Sequence, residues 1–321
     1  MHWTKIIILL LVGLSFFLIG IGLLSKTIKK SFAKKAKAIL KRYTTNIFYS
    51  IIAGMFLTII LDSSSAVIIL AIVFINAGSL NFKQTAGIIL GSNIGTTFSS
   101  QLIALDIYRY SYLGILIGIL ILIIAKNRKW NTIGKVITYF GLVFFGLFIM
   151  EQSVIPLKGS GLFNDWILSL ENNHILGAII GGLITIVIQS SSATVALAII
   201  MTKQNIIASA VGISIMLGAE LGTCFNTALA TIGGSREAVK AAIFHATFNL
   251  LTIIIALIFF EPFVKMVIDV TESTGIGSTI PNAHMIFNIL GVLAVLPLIG
   301  LIEKFLQKML PTKQYKLNKN E

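Results

Sequence analysis

Charge is what this sequence lacks most. Only 12% of its 321 residues are Asp, Glu, Lys or Arg, about half the share usual in soluble chains, whereas 56% are hydrophobic. That balance excludes a water-soluble domain built on one core. Apolar runs such as 6–24, 112–125 and 250–260 are membrane-helix material instead. Cysteine is nearly absent: Cys224 stands alone, which excludes an intrachain disulfide. No small-residue cleavage site follows the first apolar run, which leads straight into Lys26, Lys29 and Lys30 and so reads as a retained helix. The net charge of +13 invites a nucleic-acid reading, but the placement of the bases fits membrane orientation, and no nucleic-acid partner is expected. Nor is any Lys or Arg expected at mid-depth, so an anion held there would need bound cations to neutralise it.

What is present occurs twice. Asp62-Ser63-Ser64-Ser65-Ala66 returns as Gln189-Ser190-Ser191-Ser192-Ala193, 127 positions later, each inside an apolar run. Three adjacent hydroxyls there are costly unless bound, since an unpaired polar group in hydrocarbon costs roughly 2–7 kcal/mol. At the same offset Gly91-Ser92-Asn93-Ile94-Gly95-Thr96 pairs with Gly218-Ala219-Glu220-Leu221-Gly222-Thr223, and 17 of 49 positions between 54–102 and 181–229 are identical. The chain contains an internal repeat.

Segment 5–25 precedes eight basic residues between Lys26 and Arg42, which read as a short amphipathic helix on the cytoplasmic face. The arms around the first serines are too short to cross about 30 Å at 1.5 Å per residue, so 47–76 is expected to be a re-entrant hairpin. Segment 82–105 is long enough to span but carries glycines and polar side chains over 91–97, the composition of a helix unwound at mid-depth. A helix over 112–125 closes the first repeat, 1–130. The second repeat, 131–302, has a returning helix over 133–150, a loop over 151–173, a hairpin over 176–201 and a broken helix over 206–232. Helices over 237–260 and 281–302 complete it, and 303–321 is a basic cytoplasmic tail. Counting crossings with 26–42 inside puts most basic residues in the cytoplasm and the equivalent loops on opposite sides. The expected fold is an all-α membrane protein of two inverted-topology repeats, each with a re-entrant hairpin and a broken transmembrane helix, in the cell-membrane lipid bilayer.

In each hairpin the serines precede the returning arm, where serine caps helices and free N–H groups carry partial positive charge. Gly95-Thr96-Thr97 and Gly222-Thr223 stand in the same relation to the second halves of the broken helices. Four half-helix N-termini around one cavity would suit an anion, with unwound carbonyls and hydroxyls left for a hard cation. The glycine pairs also fit a helix-packing motif, and a lone serine run fits back-bonding to the preceding turn. His245-x-x-Phe248-Asn249 and His284-x-x-Phe287-Asn288 suggest interhelical hydrogen bonding rather than a metal site. A hydrolase using a hairpin serine with His245 or His284 and Asp62 is a remote alternative, since such sites do not duplicate the nucleophile.

The doubled serine hairpin, the doubled Gly-x-x-x-Gly-Thr cluster and the His-x-x-Phe-Asn pairs resemble the type II sodium-dependent phosphate cotransporter family, in its short bacterial form, over about 11–301. The resemblance implies Na⁺-coupled symport of inorganic phosphate, without catalysis or an organic cofactor. It carries Ser63, Ser64, Ser65, Asn93, Thr96, Gln189, Ser190, Ser191, Ser192 and Thr223 over as substrate-site positions. Asp62 and Glu220 depart from it, each a carboxylate where the family has an amide. With Thr97 and Ser92 they are expected to couple cations, and the sodium ligands expected are Gln189, Ser64, Ser191, Asp62 and Glu220. Another anion, H⁺ coupling or export stays open, as does assembly into homo-oligomers. Cys224, beside Thr223, is expected to react with thiol reagents through the cavity.

Overall fold

The computed structural model describes residues 3–158, 160–171, 173–273 and 275–311, and the described residues contain helices and no strand. The first helix, α1 (Trp3–Tyr43), is one continuous rod of 41 residues. The separate surface helix expected over 26–42 is therefore absent. Neither Gly nor Pro interrupts the chain between Gly22 and Tyr43, and Lys, Ala, Leu and Ile sustain the helix. Ala36 and Leu40, one turn apart, bury against Leu57, Leu61 and Val67, so the basic stretch is seated on the neighbouring hairpin.

That hairpin is α2 (Ile47–Leu61) followed by α3 (Ser64–Asn76), and α8 (His174–Ile188) with α9 (Ser191–Lys203) repeats it with every boundary displaced by 127 positions. The local chemistry repeats as well. Asn46 caps α2 by accepting the Tyr49 N–H at 3.1 Å, and Asn173 caps α8 by accepting that of Leu176 at 3.0 Å.

Against each hairpin lies a long helix, α4 (Phe82–Ala104) or α10 (Ser209–Leu229). Both run unbroken, which corrects the expected break. Their glycines serve close approach instead: a Cβ on Gly91 would stand 1.9 Å from the Ile51 carbonyl oxygen, and one on Gly218 1.7 Å from that of Ala178. The packing alternative holds, within the chain, and the helical hydrogen bonds need not be given up.

Between these come α5 (Ser111–Ile124) and α6 (Arg128–Val154); the latter packs along α1. The expected loop over 151–173 contains a short helix, α7 (Gly161–Glu171). The chain finishes with α11 (Arg236–Ile258), α12 (Phe260–Thr271), α13 (Thr279–Val295) and α14 (Ile299–Met309). Most of the basic tail, 312–321, lies outside the described residues. Among the described residues, five helical stretches are long and apolar enough to cross a membrane, and outward side chains such as Val187 and Ile123 are bare hydrocarbon, so this is a multi-pass membrane protein. Buried α4 and α10 sit inside, with α11 and α13 packed on both of them.

Candidate functional site

The two hairpin turns are built alike. After α2 the backbone enters the left-handed region at Asp62 (φ 48°, ψ 40°), and after α8 it does so at Gln189 (φ 58°, ψ 29°). Neither is glycine, so each turn carries strain of about 1–3 kcal/mol that the surroundings must hold. The next residue returns to extended backbone and caps the second arm: Ser63 Oγ accepts the Ala66 N–H and Ser190 Oγ accepts the Ala193 N–H, both at 3.2 Å. The first-turn N–H groups of Ser64 and Ser65, and of Ser191 and Ser192, lack intrahelical acceptors as at any helix start, and the helix dipoles make those ends positive.

Both tips open onto one cavity of about 500 Å³. From the first hairpin it is lined by Asp62, Ser63, Ser64 and Ser65, and from the second by Gln189, Ser190, Ser191 and Ser192. Thr96 of α4 and Thr223 of α10 join them at its wall, so every expected substrate-site residue except Asn93 lines it. Two helix N-termini and their hydroxyls on one cavity are an arrangement that favours an anion.

The remaining expected residues lie elsewhere. Asn93 is buried and donates its amide to the Ile89 carbonyl at 3.0 Å, and the Thr97 hydroxyl donates to that of Ile94 at 2.7 Å. Ser92 is buried in α4 without a hydrogen-bond partner. Glu220 pairs with His284, Oε1 to Nε2 at 2.7 Å, and the other ring nitrogen of His284 meets the Ser100 hydroxyl at 2.7 Å. An unbroken helix presents one face to the cavity, and Thr96 and Thr223 occupy it. The buried bridge links α10 and α13 to α4, across the two repeats.

His245 bonds through Nδ1 to the Thr227 hydroxyl at 3.0 Å, so both histidines hold neighbouring helices, as the hydrogen-bonding reading requires. Neither reaches a hairpin serine or Asp62, whose carboxylate accepts the Ser99 hydroxyl. Cys224 is buried and accepts the Asn249 amide at 3.1 Å, outside the cavity lining, contrary to the expected exposure.

Two groups of site residues escaped the sequence. Ser99 and Asn226 occupy equivalent repeat positions, and each steadies a turn: Ser99 through the Asp62 side chain, Asn226 by donating to the Gln189 carbonyl at 3.3 Å. Their shared offset of 127 was the available signal. Ser25, Lys26 and Lys29 of α1 also line the cavity, and the Ser25 hydroxyl donates to the Leu61 carbonyl at 3.1 Å beside the tip. Fixed positive charge at the cavity thus comes from the protein, which corrects the expectation that cations alone would supply it. Leu18, Ile21, Ser25 and Lys29 share one helical face, a pattern that becomes visible only if α1 continues past residue 25.

Comparison with known proteins agrees with this layout. A family model described as Na+/Pi-cotransporter matches twice, over residues 16–152 and 158–294. "Uncharacterized protein YqeW" of Bacillus subtilis is 27% identical over 300 residues, covering 93% of this chain and 96% of that protein. "Putative inorganic phosphate export protein YjbB" of Escherichia coli K12 is 24% identical over 288 residues; this covers 89% of the chain but 52% of the relative, so the chain spans about half that protein's length. Human "Sodium-dependent phosphate transport protein 2B" is 30% identical over 135 residues, 39% of this chain and 20% of that protein. No solved structure matches. The tandem match covers both hairpins and the helices that carry them, and the chain belongs to the Na+/Pi-cotransporter family.

Proposed function

We propose that this protein is a secondary transporter that carries inorganic phosphate across the cell membrane in symport with sodium. The observation that carries the proposal is the pair of serine-capped helix N-termini, Ser63–Ser65 and Ser190–Ser192, on one cavity with Lys26 and Lys29. Phosphate oxygens accept from the free N–H groups and the hydroxyls of Ser64, Ser65, Ser191 and Ser192, with Thr96 and Thr223 at the wall. Sodium is assigned to the oxygens of Asp62, Gln189, Ser64 and Ser191, where a carboxylate raises cation affinity. Glu220 is left out of this shell because His284 already holds its carboxylate, and Asn93, Ser92 and Thr97 are assigned to packing of α4. Catalysis is not part of the reading.

Arms of 15 and 13 residues, about 22 and 20 Å long, support re-entrant hairpins whose tips meet at mid-depth. Opposed hairpins of equal build fit an inverted repeat and alternating access, with the basic ends of α1, α6 and α14 in the cytoplasm. A second reading, export, is favoured by the name of the E. coli relative. Uptake of radiolabelled phosphate into proteoliposomes, with and without a sodium gradient of either direction, tests both. Uptake that ignores sodium while following a pH gradient would replace symport with proton coupling, and no phosphate flux would overturn the substrate.

A further inference from the structure

We infer that a second site for phosphate-bearing anions lies on the seam between α1 and α6, separate from the hairpin cavity. A cavity of about 310 Å³ there is lined by Lys26 and Lys30 from one face of α1 and by Arg128 and Lys135 from one face of α6. The first pair is one turn apart and the second two turns, so four cations converge from two helices. Among the described residues, no Asp or Glu lines the cavity and none of the four bases forms an ion pair.

The two helices pack closely along this seam, so the convergence comes from the fold itself. A Cβ on Gly20 would stand 2.8 Å from the Val143 backbone nitrogen, and one on Gly146 2.5 Å from that of Phe17. Arg128 opens a helix of 27 residues, so the positive end of the α6 dipole adds to the same field. Held together, the four charges repel one another until an anion enters. Asn131 and Tyr139 add hydrogen-bonding groups that a spherical halide would leave unused but phosphate oxygens can engage. The shared chemistry is a phosphate group, free or on a phospholipid head. Lys26 lines both cavities, so this second site adjoins the first.

The test uses full-length protein carrying Ser64→Ala and Ser191→Ala, so that its outcome does not depend on the hairpin site. Radiolabelled phosphate binding is measured in phosphatidylcholine nanodiscs, and retained phosphatidylglycerol is counted by native mass spectrometry. Adding Lys30→Gln, Arg128→Gln and Lys135→Gln should weaken one of the two ligands at least tenfold, whereas Lys30→Arg, Arg128→Lys and Lys135→Arg should keep it. Loss of phosphate binding identifies a free-phosphate site, and loss of lipid alone identifies a headgroup site. If the triple neutral variant does not fold, Arg128→Gln and Lys135→Gln are measured singly, each with about a threefold loss expected. Unchanged binding of both ligands overturns the inference.

Discussion

The two hairpins have nearly the same backbone and different chemistry. Their turns agree to within about ten degrees at Asp62 and Gln189, and their caps are equally long. Yet the first turn offers a carboxylate to Ser99, while the second offers only its main-chain carbonyl to Asn226. The helices packed behind them differ likewise. With Gly13 aligned to Gly141, Ser25 corresponds to Ser153, but Lys26 and Lys29 correspond to Val154 and Leu157. Duplication thus repeats the cradle, while charge of both signs is delivered from one side only. In the proposed function the symmetric frame would hold the anion, and the asymmetric groups are where coupling and direction would reside.

The strongest way to break the comparison is to remove the repeated element from one repeat at a time. Ser64→Ala and Ser191→Ala should each reduce phosphate uptake about tenfold or more, because a hydrogen bond to a charged group contributes roughly 1.5–3 kcal/mol. Uptake into proteoliposomes measures it, with gel-filtration profiles to confirm folding. A loss in only one variant would show that the hairpins are not equivalent in function.

Positions 93 and 220 compare the repeats away from the cavity. Glu220→Ala removes one of the two buried partners of the His284 ring and should cost up to about 3 kcal/mol of stability, against about 1 kcal/mol for Asn93→Ala, which loses one neutral hydrogen bond. Thermal unfolding in detergent reads the difference. Equal losses would mean that the bridge between repeats adds nothing to holding them together.

Asp62→Gln makes the two turns alike. Phosphate transport should persist, with the sodium concentration for half-maximal uptake raised about fivefold, as expected for loss of about 1 kcal/mol of charge–charge attraction. An unchanged sodium response would remove Asp62 from coupling. The smallest effect concerns Cys224, which replaces Thr97 of the first repeat. It should react slowly with small thiol reagents, at a rate indifferent to phosphate and sodium. Protection by phosphate would place the thiol in the cavity after all.

Much of this was legible in residue order. The period of 127 and the serine triplets marked the hairpins within two residues of their ends, because short-range capping needs no distant partner. The break expected at Gly91–Thr97 was misread, because glycine signals both unwinding and close packing, and only the neighbour decides between them. Here the neighbours are Ile51 and Ala178, whose carbonyls lie where a Cβ would be. Asn93 and Glu220 were misplaced for the same reason: an intact helix turns them away from the cavity.

Membership of the membrane class, the duplication and the helix caps follow from composition and local sequence alone, since hydrophobicity and capping act over a few residues. Which face of each helix meets the cavity, and that α1 brings two lysines to it, came only from packing. A lysine in a run of lysines looks like any surface charge until a helix seats it on the same cavity as Asp62, more than thirty positions away. Long-range contact, not residue type, made it part of the site.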